Sequence, residues 1–174
     1  GTAGDVNGDG YADVFAGANA YDIDGTANRG RMYVYHGSAS GIPATAHWTA
    51  DGVQSNSGFG EHSATAGDID GDGFSDLLVG AGGYDAGQTD EGRVYLYRGS
   101  GDGLATNAQA TFNINDPSGS GTLGWTVASA GDVNGDGFSD VIIGAPFHRL
   151  GGRAWVFLGS LTGVSTTIHA DLAP

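Results

Sequence analysis

The sequence predicts an all-β fold made of three copies of one four-stranded unit, and three observations lead there. A long motif recurs in register: GDVNGDGYADVFAGA from Gly4, GDIDGDGFSDLLVGA from Gly67 and GDVNGDGFSDVIIGA from Gly131, with leading aspartates Asp5, Asp68 and Asp132. Glycine supplies 34 of the 174 residues and apolar residues 39%. The chain is therefore too hydrophobic for disorder and too glycine-rich for long helices. Each copy also joins a short apolar run to a second run of aromatic and β-branched residues, both bounded by turn residues, which is the signature of strands.

The elements of one unit follow in order. A first strand is expected at Gly60 to Ala66 and at Gly124 to Ala130; the first copy lacks the start of it, as an excised fragment would. The aspartate-rich loop comes next. VFAGA, LLVGA and VIIGA then read as second strands buried on both faces. GRMYVYHGS from Gly30, GRVYLYRGS from Gly92 and GRAWVFLGS from Gly152 read as third strands. Their aromatic side chains (Tyr33 and Tyr35, Tyr95 and Tyr97, Trp155 and Phe157) lie on one face, with Val34, Leu96 and Val156 on the other. Weaker outer strands fit Ala46 to Ala50, Ala110 to Ile114 and Thr167 to Asp171. Four strands in a unit of about sixty residues make a β-propeller blade. Blades are assigned to 1–58 (first strand truncated), 59–122 and 123–174. A blade has two apolar faces and must stack to bury them.

Composition bounds the partners. The formal net charge is −14, from 20 acidic and 6 basic residues, which excludes phosphate backbones and anionic membranes as natural ligands and favours cations. Eighteen of the acids are Asp, and half of all the acids fall in the three repeated loops. Cysteine is absent, so disulfides and thiolate sites are excluded. No apolar run is long enough to span a bilayer, and the start has neither the basic nor the hydrophobic region of a signal peptide.

The loops carry the chemistry. Positions 1, 3, 5 and 9 are Asp5, Asn7, Asp9 and Asp13 in the first copy, Asp68, Asp70, Asp72 and Asp76 in the second, and Asp132, Asn134, Asp136 and Asp140 in the third. Alternate spacing aims these oxygens at one centre. Glycine at position 6 permits a sharp turn, after which the carbonyl of Tyr11, Phe74 or Phe138 at position 7 can face inward. Five or six hard oxygens with three or four negative charges suit Ca²⁺, one per loop and three per chain; zinc would require nitrogen or sulfur ligands. An EF-hand is excluded because position 12 holds Ala16, Val79 and Ile143, expected core residues, instead of Glu. A dockerin-like module is disfavoured because these loops run into strand sequence.

Other candidates read as structural. Arg31, Arg93 and Arg153 are expected in strand-edge or blade-to-blade pairs. The five histidines share no ligand spacing and are expected to be isolated at the surface. No nucleophile elbow or phosphate loop is present, so no catalytic residue is assigned and the chain is not expected to be an enzyme. Trp48, Trp125 and Trp155 are the best case for sugar stacking.

Phe59-Gly60, the aspartate loop and Gly144-Ala145-Pro146 together resemble FG-GAP repeats of integrin α-subunit propellers and their bacterial relatives, over almost the whole chain. Leu123-Gly124 departs from the FG pair. The resemblance implies Ca²⁺ in the hairpin between the first two strands of each blade, on the lower face, with partners met on the opposite face. The expected function is a calcium-binding scaffold for protein binding or adhesion, extracellular or at the cell surface. The alternatives are a carbohydrate-binding propeller or the non-catalytic propeller part of a larger secreted enzyme. Three blades cannot close a ring, so a homodimer forming a six-bladed ring is expected, with a longer, perhaps seven-bladed, parent chain as the rival.

Overall fold

The computed structural model describes residues 1–114, 121–149 and 151–173. The first blade holds β1 (Thr2–Gly4), β2 (Asp13–Ala18), β3 (Arg31–Tyr35) and β4 (Trp48–Asp51). The second holds β5 (Ser63–Gly67), β6 (Asp76–Ala81), β7 (Arg93–Tyr97) and β8 (Ala110–Phe112), and the third β9 (Thr126–Gly131), β10 (Asp140–Ala145), β11 (Arg153–Phe157) and β12 (Ala170–Leu172). Each set pairs in chain order as an antiparallel sheet. The three sheets stand side by side and do not close, so the chain is all-β with three propeller blades. Among the described residues no helix is long and apolar enough to cross a membrane.

The first strands start later than the sequence suggests, because Gly58 to His62 form turns before β5 begins. In the first blade β1 is present, three residues long. Each first strand ends in a register shift at Gly4, Gly67 or Gly131, all with positive φ. Such a bulge bends the strand and launches the loop that follows.

Cross-strand pairing decides which face meets which neighbour. Leu77 and Val79 lie opposite Tyr97 and Tyr95, and these four residues pack with Met32 and Val34 to fill the seam between the first and second blades. Leu78 and Leu96 face the other way, joining Val141, Ile143, Trp155 and Phe157 in the second seam. The aromatic faces of the second and third blades therefore pack on the blade before each. Gly60 and Gly124 bring their backbones against Gly17 and Gly80 at these seams; a Cβ built on Gly80 would lie 2.2 Å from the Gly124 carbonyl oxygen. Only glycine tolerates that approach.

Two expectations are corrected here. Val79 and Ile143 are buried, but Ala16 is exposed because no blade covers that side of β2. Four of the five histidines are not isolated: His36 stacks on His47 with ring centroids 4.4 Å apart, His62 lies against Trp125, and His148 is buried against Trp155, while His169 is exposed as expected. The three arginines pair across the outer strands of their own blades, Arg31 with Asp51, Arg93 with Asn113 and Arg153 with Asp171. Arg93 also lies 3.9 Å over the Tyr84 ring.

Candidate metal centre

The first aspartate of each loop organises the turn. In the first loop Asp5 Oδ1 accepts the amides of Gly8 and Asp9 at 2.7 and 3.1 Å, and Oδ2 accepts Gly10 at 2.9 Å. Asp68 repeats this with Gly71, Asp72 and Gly73, and Asp132 with Gly135, Asp136 and Gly137. Backbone donors, that of Gly137 first, hold the Asp132 carboxyl below the usual range. Position 5 caps the turn as well: Asp9, Asp72 and Asp136 accept the amides of Tyr11, Phe74 and Phe138. The Tyr11 amide, then the Asn7 side chain, pull the Asp9 carboxyl down.

The ninth position has a role that spacing alone does not disclose. Asp13, Asp76 and Asp140 are fully buried, and each uses both oxygens on backbone amides. Asp76 Oδ2 accepts from Ile69 at 3.0 Å, and Oδ1 accepts from Gly99, beyond β7, at 2.9 Å. Asp13 joins Val6 to Gly37 and Asp140 joins Val133 to Gly159 in the same way. One carboxylate thus clasps the loop to the end of the third strand. A carbonyl-type oxygen has two lone pairs, so each retains room for a further partner.

The loops differ at position 3. Asn7 and Asn134 donate through Nδ2 to Asp9 and Asp136 at 3.0 and 2.8 Å. Asp70 has no proton to donate. It is 2% exposed, and neither of its oxygens receives a hydrogen bond of normal geometry. Its partner is an ion pair with Arg98, whose Nη2 also stands 3.3 Å from Asp72. Asp68, Asp70 and Asp76 each present an oxygen within 4.8 Å of the others, the one such group among the described residues. Burial, and then the charges of Asp72 and Asp68, push Asp76 up to about 6.

Three carboxylate oxygens within 4.8 Å of one another, two of them on buried side chains, fit a calcium-sized cation and no thiolate or imidazole metal. Of the remaining expected ligands, the rings of Phe74 and Phe138 lie against Gly8 and Gly71 of the preceding loops, while Tyr11 is exposed. Arg98 is not singled out by the sequence pattern. Its signal is two coincident departures from the repeat, Asp at 70 where the others have Asn, and Arg at 98 where they have His36 and Leu158. Trp48 and Trp155 lie in the seams, and Trp48 Nε1 donates to Ala105 O at 3.0 Å. Trp125 is half-buried between His62 and Phe147.

Comparison with known proteins agrees with this architecture. A family model described as FG-GAP repeat matches residues 1–35, 59–97 and 123–157. Each match runs through the loop and ends with the third strand. The chain is 37% identical over 161 residues to phosphatidylinositol-glycan-specific phospholipase D of Bos taurus, covering 87% of this chain and 19% of that protein. It is 33% identical over 163 residues to integrin alpha-4 of Xenopus laevis, covering 91% and 15%. Against integrin alpha-IIb of Homo sapiens the identity is 32% over 150 residues, covering 81% and 14%. The chain spans less than a fifth of the length of each of these relatives.

Proposed function

This chain belongs to the FG-GAP repeat family, and from that premise we propose that it is a calcium-binding, integrin-like propeller module serving as an extracellular or cell-surface scaffold for protein binding or adhesion. One observation supports the calcium reading above the rest: Asp68, Asp70 and Asp76 each bring an oxygen within 4.8 Å of the others, and Asp70 and Asp76 are buried. Calcium would supply positive charge to offset the three or four carboxylates of each loop, held by the oxygens at positions 1, 3, 5 and 9 and the carbonyl at position 7. The residues of the chain fix those oxygens in advance, since the first aspartate gathers three amides and the ninth anchors the loop to the sheet. Isothermal calorimetry tests this: three equivalents of Ca²⁺ should bind per chain, and no heat with millimolar Ca²⁺ would refute it.

The likeness to a phospholipase D and to integrin subunits supports a scaffold role over chemistry within this segment. We read the chain as a non-catalytic propeller portion, of an adhesion protein or of a larger secreted enzyme. Detectable turnover of a phosphatidylinositol glycan by this chain alone would overturn that reading. Its ligand is a protein or glycan met on the face opposite the loops.

Assembly completes the proposal. Ser75 and Ser100 donate backbone hydrogen bonds to the Asp5 and Val6 carbonyls across the first seam, and Ser139 and Ser160 repeat this on Asp68 and Ile69 across the second. The matching donors in the first blade, Ala12 and Ser38, have no such partner among the described residues, and neither do the matching acceptors Asp132 and Val133. Val133 is 52% exposed, where Val6 and Ile69 are buried. These unmatched halves support a second copy joining first blade to third, twice, to give a six-bladed ring. Light scattering on a size-exclusion peak decides it: a folded species at the 17.4 kDa monomer mass would refute the ring, and twice that mass would support it.

A further inference from the structure

The second loop carries a charged residue that neither of its siblings has. In the first and third loops three aspartates stand with one neutral asparagine, and the amide Nδ2 satisfies the Oδ2 of the fifth position. In the second loop four aspartates stand together, and Arg98 reaches the same Oδ2 on Asp72 while pairing with Asp70. Four carboxylates and one guanidinium give the net charge of three carboxylates, so the two departures from the repeat cancel. The equivalents of Arg98 differ: Leu158 is apolar, and His36 is stacked on His47 and forms no ion pair with its loop among the described residues.

We propose that Arg98 is a resident counter-cation of the second loop, which must release Asp70 before a divalent ion can use that carboxylate. This rests on the calcium reading above. Arg98 is placed by its neighbour, since the Gly99 amide is bound to Asp76 and fixes the backbone beside the loop. The side chain is about one-third exposed, and its buried Nε has no partner. The guanidinium can therefore swing into solvent while the backbone stays. In calcium-free protein it keeps four carboxylates from repelling one another; with calcium present it is a competitor. The three loops are then tuned differently, although their candidate ligand positions are spaced identically.

The test follows the amide signals of Gly10, Gly73 and Gly137, one per loop, by NMR while Ca²⁺ is added to the full chain. Arg98→Leu, which copies Leu158, should lower the calcium midpoint at Gly73 by about tenfold and leave the other two where they were. An unchanged Gly73 midpoint, or an equal shift at all three glycines, overturns the proposal. If none of the three amides responds to calcium, the calcium reading itself is refuted and this inference falls with it. A reciprocal transplant guards against a folding artefact: in an Asn134→Asp background, adding Leu158→Arg should weaken calcium binding at Gly137. Titration identical to that of Asn134→Asp alone would also overturn it.

Discussion

The aromatic face of the second blade and that of the first are built from the same repeat positions, and they end in different states. Tyr95 and Tyr97 are buried at 8% and 5% exposure in the seam, while Tyr33 and Tyr35 remain half-buried. β6 is buried along its whole length, whereas β2 leaves Ala16 and Gly17 exposed. The sequence code is thus equal across blades, and burial is set by whether a neighbour is present. The same holds at the other end, where Ile142 and Ala154 of the third blade are only partly covered although the matching Leu78 and Val94 are fully buried. Stability in such an array resides in nearest-neighbour contacts as much as in the units.

The largest expected effect concerns the loops, which occur in every blade regardless of neighbours. Ca²⁺ at a hundredfold excess over Kd stabilises by about 2.7 kcal/mol per site, so chelation should lower the melting temperature by more than about 10 °C in a chain of this size. Calorimetric scans with and without chelator check it; equal midpoints would mean that the loops hold no ion.

The seam and the open face separate more directly through their tyrosines. Tyr95→Ala should cost about 3 kcal/mol by denaturant melts, and Tyr33→Ala about 1 kcal/mol or less in a monomer. Equal losses would show that the face bearing Tyr33 is covered in solution, as the six-bladed ring requires.

A smaller contrast lies in the glycines one residue before the ends of the second strands. Gly80→Ala drives a methyl into the backbone of Gly124 and should cost about 2 kcal/mol. At Gly144 the nearest atom is Thr126 Oγ1, a side chain that can rotate, so Gly144→Ala should cost under about 1 kcal/mol. Comparable losses would break the claim that backbone contact decides whether a side chain is tolerated there.

The smallest effect is a pH dependence confined to the second loop. Asp76 titrates at about 6 in the folded chain, above the ordinary 3.8 of an exposed aspartate that it regains on unfolding. A folded pKa above the unfolded one gives a contribution that is complete below about pH 3.8 and lost as pH rises through 6. In calcium-free protein, wild type should therefore lose about 1 kcal/mol relative to Asp76→Asn between pH 5 and 7, read from paired denaturant melts. A wild type that gains stability relative to Asp76→Asn over that range, or a difference that does not change, would contradict the assigned burial of this carboxylate.

Much of this is legible in the chain. The repeat fixes its own register, so the second and third strands fall where the apolar and aromatic runs lie. The aspartates at positions 1 and 5 stand out because short-range turns are written in local spacing. What local spacing cannot express depends on residues brought together from separate elements. Arg98 meets Asp70 only after β6 and β7 pair; the clasp made by Asp76 needs Gly99; and the exposure of Ala16 reflects a missing neighbour, which no local pattern encodes. The outer strands can be placed only within a few residues because β4, β8 and β12 are short and carry little patterning.

The buried carboxylate at the ninth position also has a mechanical meaning. Each blade is a meander whose outermost strand has three or four residues, so a load applied at that edge peels β4, β8 or β12 first. Peeling of the third strand then reaches Gly37, Gly99 or Gly159, where one side chain ties strand end and loop to the same point. The loop is loaded in tension at that moment, ahead of the second strand. Rupture force for each blade should accordingly register the state of its loop, which makes the loop-bearing rim the place where traction on the outer edge is resisted.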